Sequence, residues 1–525
     1  MELLGLVVFI LIMLTVMKKI FKTLHFSFLE AKDSTFNLFN PLNQIARLLF
    51  NSMQESKMMG SYEKNKLFNS SNKGLLLDGA NTRLSLKESF NHLAVISRTG
   101  GGKTSSYVIP NIFKLSQEKT SLVITDISGE LYTKTSGYLS KQGYKIYILN
   151  PEDLSESIAY NPLYYATDST KVDELVNVLI KSSKKGATSL GGADNQEFWD
   201  NGAKVLISML IKVLIATHDY RYINLANVKY LLNNYGNDGE SLFHLIENFA
   251  DDKTYYEFRG FIKGNPQTIL SIVATANVAL SPIGINDKLE KLTSNHSIDF
   301  AKFREEKSVI YIKIPEQKQD QYRFLLNIFY QQFFSYMMET LPKKNDLPLF
   351  CLLDEFGNMN LPNFDTTITT ARKYHISISI ILQSVKQLEN RYGKANAQTI
   401  LDGGIASKLF FSGADLETTE TLSKIMGISQ EVRTNPDGSL YNKDIPVMSL
   451  RDIRTMKDNE ALFIMSNKLP LKLKITPYFQ DYRFNRFSKE KPYSIQSKIN
   501  ETTVEYIDLD YGNTEDVEDE NYETE

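Results

Sequence analysis

The sequence has very little cysteine and histidine. Its single cysteine, Cys351, excludes a disulfide within the chain, and its apolar neighbours in residues 348–353 indicate a small buried side chain rather than a reactive thiol. The six histidines show no paired spacing with each other or with Cys351, so nothing indicates a structural metal site. This composition suits a reducing cytosol.

Long apolar runs are also scarce, and the N-terminus holds the one that is typical of a membrane span. Residues 3–17 carry no charge, and lysines follow at Lys18, Lys19 and Lys22. Extended to Phe21, a helix would cover ~28 Å of a hydrocarbon core of ~30 Å. A signal peptide is the competing interpretation, but Glu2 replaces its basic segment and no small-residue cleavage site follows. We therefore predict a membrane anchor at 1–22 and a juxtamembrane linker at 23–74, with the rest of the chain in the cytoplasm.

Neither sign of charge dominates, because 59 Lys and Arg residues oppose 62 Asp and Glu residues. Residues 505–525 nevertheless hold ten acidic side chains and no Lys or Arg, and subtracting them from the formal charge of −3 leaves about +7. A mildly basic body permits contact with nucleic acid without demonstrating it. We expect residues 488–525 to form an acidic disordered tail, which is either a docking segment for a basic partner or a solubilising end.

The spacing of short apolar runs indicates the fold class. The predicted strands are 93–97, 122–126, 145–149, 308–314, 349–354, 376–382 and 406–411. The early runs alternate with helical stretches, which is the pattern of a parallel sheet with crossover helices. A chain of 525 residues also exceeds the usual size of one core. The expected fold is therefore α/β, with one sheet domain built from 75–164 and 306–487.

A helical block interrupts this sheet pattern. Apolar residues spaced by three or four predict a packed helix, and they are Trp199, Ala203, Leu206, Leu210 and Leu214. The stripe is read as a core-facing surface, so Trp199 is assigned no chemistry. We predict an all-helical insertion domain at 165–305.

A glycine-rich loop follows the first predicted strand. Its residues are Ser97, Arg98, Thr99, Gly100, Gly101, Gly102, Lys103 and Thr104. In a P-loop, the N–H groups of such a turn and of the next helix hold phosphates. Lys103 is expected on the β- and γ-phosphates of ATP, and Thr104 on Mg²⁺. The pattern GxxxxGK[ST] has glycine where this chain has Ser97, which is small enough for the turn, so we expect altered affinity rather than lost binding.

A second motif lies at the end of the predicted strand 349–354. Asp354 and Glu355 follow Leu352 and Leu353, as in a Walker B element. We predict that Asp354 holds Mg²⁺, partly through water, and that Glu355 orients or deprotonates the attacking water. Alone, such a pair is more often a solvated turn, but the P-loop favours the catalytic interpretation.

Two further polar residues are candidates for catalysis. Gln383 ends the apolar strand at 376–382, where a γ-phosphate sensor is expected; the alternative is a turn-capping residue. Arg372 lies between Walker B and that strand, and is predicted to reach the nucleotide of a neighbouring subunit. Its alternative is a surface arginine or one paired with an acidic residue for structure.

Together these motifs resemble the VirD4/TraG family of conjugative coupling proteins of type IV secretion, from about Leu75 to Arg483. The resembling segments are 126–131, 136–139, 142–151, 161–163, 198–199, 353–358, 383–384, 387–388 and 392–393. The resemblance implies a membrane-anchored ATPase of the inner (cytoplasmic) membrane with a RecA-like nucleotide domain and an all-helical domain. It also implies a homo-hexameric ring that receives a relaxase bound to single-stranded DNA and delivers it to the secretion channel.

The chain departs from that family pattern at two points. Ile127 and Ser128 stand where the family usually has Pro-Lys, and one membrane span is visible where two are usual. An ATPase site also does not reveal what is transported. A motor for protein substrates alone, and a receptor that uses nucleotide only to assemble at the membrane, remain alternatives.

Overall fold

A computed structural model gives the structure of residues 57–183, 193–236, 239–436 and 439–509. The predicted anchor at 1–22 and most of the linker at 23–74 lie outside these residues. Within them, no helix is both long and apolar enough to cross a membrane. The chain divides into a small unit, of which residues 428–436 and 439–445 are described, and a large unit that holds the remainder.

A nine-stranded sheet forms the centre of the large unit, in the order β11-β10-β7-β1-β6-β5-β2-β4-β3. Strands β1 to β7 are parallel, and β10 and β11 are antiparallel additions at one edge. The parallel strands are β1 (Leu93–Ile96), β2 (Ser121–Thr125), β3 (Lys145–Leu149), β4 (Ser308–Ile312), β5 (Leu349–Leu353), β6 (Ile376–Leu382) and β7 (Ser407–Phe411). They coincide with the predicted runs, because strands covered on both faces are apolar throughout.

The sequence prediction missed the remaining strands. These are β10 (Glu460–Met465) and β11 (Leu471–Lys474) in the sheet, and β8 (Ile428–Thr434) and β9 (Leu440–Pro446) in the hairpin. The residues of β11 alternate between buried and exposed positions. An edge strand with one solvated face lacks the continuous apolar signal of the central strands.

Helices cover both faces of the sheet. Before the predicted insertion they are α1 (Ser61–Leu67), α2 (Leu86–Ser89), α3 (Ile109–Ser116) and α4 (Glu130–Lys141). The helical block contains α5 (Ser169–Ser183), α6 (Ala193–Ala216), α7 (Leu225–Asn233), α8 (Phe243–Phe249), α9 (Asp252–Ile262), α10 (Pro266–Ala279), α11 (Ser281–Ile285) and α12 (Asp287–Ser294). The later helices are α13 (Lys302–Glu305), α14 (Gln319–Met337), α15 (Phe364–Thr370), α16 (Val385–Tyr392), α17 (Lys394–Gln398), α18 (Leu416–Met426), α19 (Leu450–Arg454) and α20 (Tyr482–Phe487).

The two faces of the sheet pack into two hydrophobic cores. One core joins Val95 and Leu352 to helices such as α3, and the other joins Ile96 and Leu353 to the helical block. The predicted stripe of α6 is buried from Ala203 onward, and Trp199 is partly buried against the same core. Cys351 is fully buried in β5, and this burial raises the pKa of its thiol well above the usual range.

The C-terminal segment differs from the expected disordered tail. Residues 488–509 pack along the large unit, with Ile499 and Ile507 buried. The N–H of Tyr493 donates to Ser136 Oγ of α4 at 3.1 Å, and the N–H of Ile507 donates to Asn227 Oδ1 of α7 at 2.8 Å. The expectation of disorder was therefore wrong for 488–509. An acidic composition does not reveal that a few apolar side chains, such as Ile499 and Ile507, are buried. Residues 510–525 lie outside the described part.

Candidate nucleotide-binding site

The carboxyl ends of four parallel strands lie at one edge of the sheet, and polar residues follow each of them. Ser97 follows β1, Asp126 follows β2, Asp354 follows β5 and Gln383 follows β6. β1 pairs with β6, β6 with β5 and β5 with β2. Ligands of open α/β sheets bind at such an edge.

The loop at 97–104 has the backbone of a phosphate cradle. Gly100 and Gly102 have φ angles of 74° and 82°, a region that favours glycine. A side chain at Gly101 would collide with the hydroxyl of Ser97. Ser97 is itself buried, and its N–H donates to the Leu382 carbonyl at 3.0 Å. The serine therefore fits the turn but takes space that a glycine would leave open.

The loop runs directly into a helix. A π-helical turn, Thr104–Val108, leads into α3, so the first N–H groups of the helix face the loop. Such turns occur frequently at functional sites. Arg98 lies at the outer side of the loop, mostly exposed, with a guanidinium nitrogen 3.4 Å from Asp458 Oδ1. With Thr99, it lines a cleft of about 780 Å³ that opens beside the loop.

Lys103, Glu355 and Gln383 form one connected group. Lys103 Nζ lies 2.5 Å from Glu355 Oε1, and Gln383 Nε2 donates to Glu355 Oε2 at 3.0 Å. Both carboxylate oxygens of Glu355 are thus engaged. The side chains of Lys103 and Glu355 are only 8% and 19% exposed, so their charges interact with little screening by water. Glu355 also has a φ of 51°, an uncommon conformation for a residue other than glycine.

Asp354 and Thr104 lie beside this group. Thr104 Oγ1 is 3.5 Å from Asp354 Oδ2, so a hydroxyl and a carboxylate oxygen, both ligands that Mg²⁺ prefers, lie close together. Burial raises the pKa of Asp354 to about 6, with Lys103 opposing and Glu355 adding to the rise. A nearby cation favours the ionised carboxylate, so Thr104 and Asp354 would hold Mg²⁺, directly or through water.

Asp126 is a site residue that our assignment of roles missed. Its carboxylate accepts hydrogen bonds from the N–H groups of Leu131 at 3.2 Å and Tyr132 at 2.7 Å. Burial raises its pKa to about 6, and its charge also raises the pKa of Asp354. The available signal was its position directly after an apolar strand, the same position that identified Asp354. Among the described residues, no three His, Cys, Asp or Glu side chains form a metal site by themselves.

Arg372 is far from the phosphate loop of its own chain. It is exposed in a 3₁₀ turn, Ala371–Tyr374, that precedes β6, whereas Gln383 follows the same strand. A strand of seven residues spans about 23 Å. The structure thus brings Lys103, Thr104, Asp354, Glu355 and Gln383 together and leaves Arg372 at the opposite edge. Within one chain, the arginine therefore does not reach the site.

Sequence comparison places these features in a family. A family model described as "Type IV secretory system Conjugative DNA transfer" matches residues 49–504. Protein VirD4 of Rhizobium radiobacter is 24% identical over 420 residues, which cover 75% of this chain and 58% of VirD4. The coupling protein VirD4 of Bartonella quintana is 22% identical over 439 residues, which cover 78% of this chain and 66% of that protein. The chain thus spans less than two thirds of the length of these relatives.

Comparison with solved structures supports the same fold. Bacterial conjugative coupling protein TrwB, in a form with sulphate, has a TM-score of 0.64 at 17% identity, with 84% of this chain and 96% of that chain covered. TrwB with ADP and Mg²⁺ has a TM-score of 0.60 at 17% identity, with 80% and 93% covered. These similarities confirm the expected RecA-like α/β P-loop NTPase fold. Since the family model matches most of its length, this chain belongs to the type IV secretory system conjugative DNA transfer family.

Proposed function

We propose that this chain is an ATP-hydrolysing coupling protein that delivers a relaxase bound to single-stranded DNA into a type IV secretion channel. The observation that carries the enzymatic part is the meeting of Lys103, Glu355 and Gln383 at the carboxyl edge of the sheet, beside Thr104 and Asp354. The transport part rests on family membership. Membrane anchoring through 1–22, location in the cytoplasmic membrane and a homo-hexameric ring belong to the same proposal.

Each residue of the site has a role in hydrolysis. The N–H groups of the glycine-rich loop hold the phosphates, and the Lys103 ammonium offsets their charge. When a phosphate replaces Glu355 as the partner of Lys103, Glu355 Oε1 becomes free to accept a proton from the attacking water. Gln383 holds the other carboxylate oxygen and fixes its direction. When bound, Mg²⁺ neutralises charge on the phosphate oxygens, with Thr104 and Asp354 as its protein ligands, directly or through water.

The choice of ATP and Mg²⁺ has support from the relatives. TrwB has been solved with a non-hydrolysable ATP analogue, with a GTP analogue, and with ADP and Mg²⁺. In this chain, the Thr104 hydroxyl and the buried Asp354 carboxylate suit Mg²⁺. The mildly basic charge of the sequence before residue 505 is compatible with a DNA substrate.

Phosphate release by the full-length protein, with and without single-stranded DNA, tests this function. We expect Mg²⁺-dependent hydrolysis that DNA increases, and a Glu355→Gln preparation gives the background. Hydrolysis that ignores DNA but rises with a protein substrate would replace the DNA motor by a protein motor. Nucleotide binding without any turnover would leave a nucleotide-assembled receptor and overturn the proposal.

A further inference from the structure

Gln387 is bound twice to Gln383. Its side-chain Nε2 donates to Gln383 Oε1 at 3.3 Å, and its Oε1 accepts the backbone N–H of Gln383 at 3.1 Å. Gln387 lies in the first turn of α16, whose N-cap Ser384 accepts the N–H of Gln387. The residue is therefore held at a defined distance from the end of β6.

These bonds determine which way the Gln383 amide points. A carboxylate only accepts hydrogen bonds, so Gln383 must present its NH₂ group to Glu355 Oε2. Its Oε1 then faces away from Glu355 and requires a donor, which is the NH₂ group of Gln387. The opposite orientation of Gln387 would place two carbonyl oxygens together and two donors together. The chain Gln387, Gln383, Glu355 thus has one orientation that satisfies every bond.

Gln387 also packs against the turn that follows Glu355. A Cβ at Gly357 would lie 2.6 Å from Gln387 Oε1 and 3.1 Å from Gln387 Cβ. Gly357 is buried in the 3₁₀ turn Phe356–Asn358, and its φ is not in the left-handed region. The glycine is therefore required by the close approach of Gln387 rather than by backbone conformation. Gln387 contacts both segments that carry the hydrolytic group.

We propose that Gln387 is a positioning residue for ATP hydrolysis. It keeps the Gln383 amide turned toward Glu355 and so orients the carboxylate that accepts the proton of the attacking water. This inference rests on the proposed ATPase function and adds a residue to it. Misplacement of a reacting group by about 1 Å can lower the reaction rate by about 100-fold. Loss of the Gln387 contacts should therefore lower kcat.

Gln387→Glu is the sharpest variant, because it keeps the size and the acceptor of the side chain but removes the donor. In the full-length protein we expect a roughly 10- to 100-fold fall in kcat for Mg²⁺-ATP, with the Kd of a fluorescent ATP analogue changed less than about 3-fold. Gly357→Ala, which displaces Gln387 from the other side, is expected to lower kcat in the same way. Gln398→Glu is the matched control. Gln387 and Gln398 both line the cleft beside the phosphate loop, and Gln398 is exposed. The variant therefore adds the same charge to the cleft and should leave kcat unchanged.

A double-variant cycle distinguishes positioning from general support of the fold. If Gln387 acts through Gln383, adding Gln387→Glu to Gln383→Ala should lower kcat no further than Gln383→Ala does alone. Multiplicative losses in the double variant, or a Gln387→Glu protein with wild-type kcat, would overturn the inference while leaving the ATPase intact. A wild-type protein without ATPase activity would instead remove the proposed function itself.

Discussion

Glu355 connects the phosphate loop to the end of β6. Its two carboxylate oxygens bind Lys103 and Gln383, and its N–H donates to Asp354 Oδ1 at 3.0 Å. Its left-handed backbone costs free energy. Such strain at a residue with this many contacts is consistent with a role in the reaction rather than in stability.

At the residue scale, Lys103→Ala and Glu355→Gln should each lower turnover by about 100-fold or more. They should differ in nucleotide binding. Lys103→Ala removes the charge that faces the phosphates and should weaken ATP binding, whereas Glu355→Gln releases Lys103 from its ion pair and should retain ATP. Phosphate release and equilibrium nucleotide binding measure the two effects. Near-normal hydrolysis in either variant would contradict the assigned roles.

His92 predicts a pH dependence of stability. It is fully buried before β1, its Nδ1 accepts the N–H of Ile378 at 3.1 Å, and burial lowers its pKa to about 3. The unfolded chain takes up a proton near pH 6.5, whereas the folded chain does not. The contribution of His92 to the free energy of unfolding should therefore fall as pH drops below about 6.5, by up to about 1.4 kcal/mol per pH unit. Asp126 and Asp354, whose pKa values are raised to about 6, contribute in the opposite direction.

Urea midpoints of the full chain between pH 4.5 and 7 measure this effect. His92→Asn is neutral and suits the positive φ of 62°, so it should lose less stability on acidification than the wild-type protein does. His375→Asn is the control, because His375 has a similar φ of 53° but is exposed. An unchanged slope in His92→Asn would show that other groups carry the pH dependence.

At the scale of elements, the turn before β6 places Arg372 at the edge of the sheet opposite the phosphate loop. An effect of this arginine on hydrolysis therefore requires a second subunit. Arg372→Ala and Lys103→Ala proteins should each be inactive alone, and their mixture should recover part of the activity, because some interfaces pair an intact loop with an intact arginine. Normal hydrolysis by Arg372→Ala alone would leave it as a surface residue. No recovery in a mixture that forms rings would also exclude action between subunits.

The C-terminal segment gives a second prediction at this scale. A chain ending at Leu509 keeps Ile499 and Ile507 buried, so its thermal midpoint and ATPase should equal those of the full protein. A chain ending at Ser488 loses both side chains from the core, which costs roughly 1.5–3 kcal/mol each, and its thermal midpoint should fall. Equal midpoints for the two truncations would mean that the segment contributes little to the fold. Reduced transfer by the chain ending at Leu509 would assign a docking role to 510–525.

For the whole molecule, the uncharged run at 3–17 and the lysines after it predict attachment to a membrane. The full-length protein should stay with membranes after a carbonate wash, and a chain starting at Lys57 should be released. Fractionation followed by immunoblotting measures both. Release of the full-length protein by salt alone would indicate surface binding rather than a span.

The sequence by itself determined the local parts of this protein. The loop at 97–104 is contiguous, and Asp354 and Glu355 directly follow an apolar strand, so their residue types and spacing were sufficient to locate them. The strands β1 to β7 were visible because burial on both faces demands continuous apolar runs. Family-specific motifs added the expected fold, which the structural comparison supports.

Only the tertiary structure decided which distant residues meet. The pairing of Lys103 with Glu355 joins positions 252 residues apart, and it depends on β1, β6 and β5 lying side by side. The length of β6 separates Arg372, which precedes this strand, from Gln383, which follows it. Packing of 488–509 depends on a few apolar contacts that acidic composition obscures. Spacing along the chain determines local conformation, whereas contacts between distant residues depend on how the strands, helices and C-terminal segment pack together.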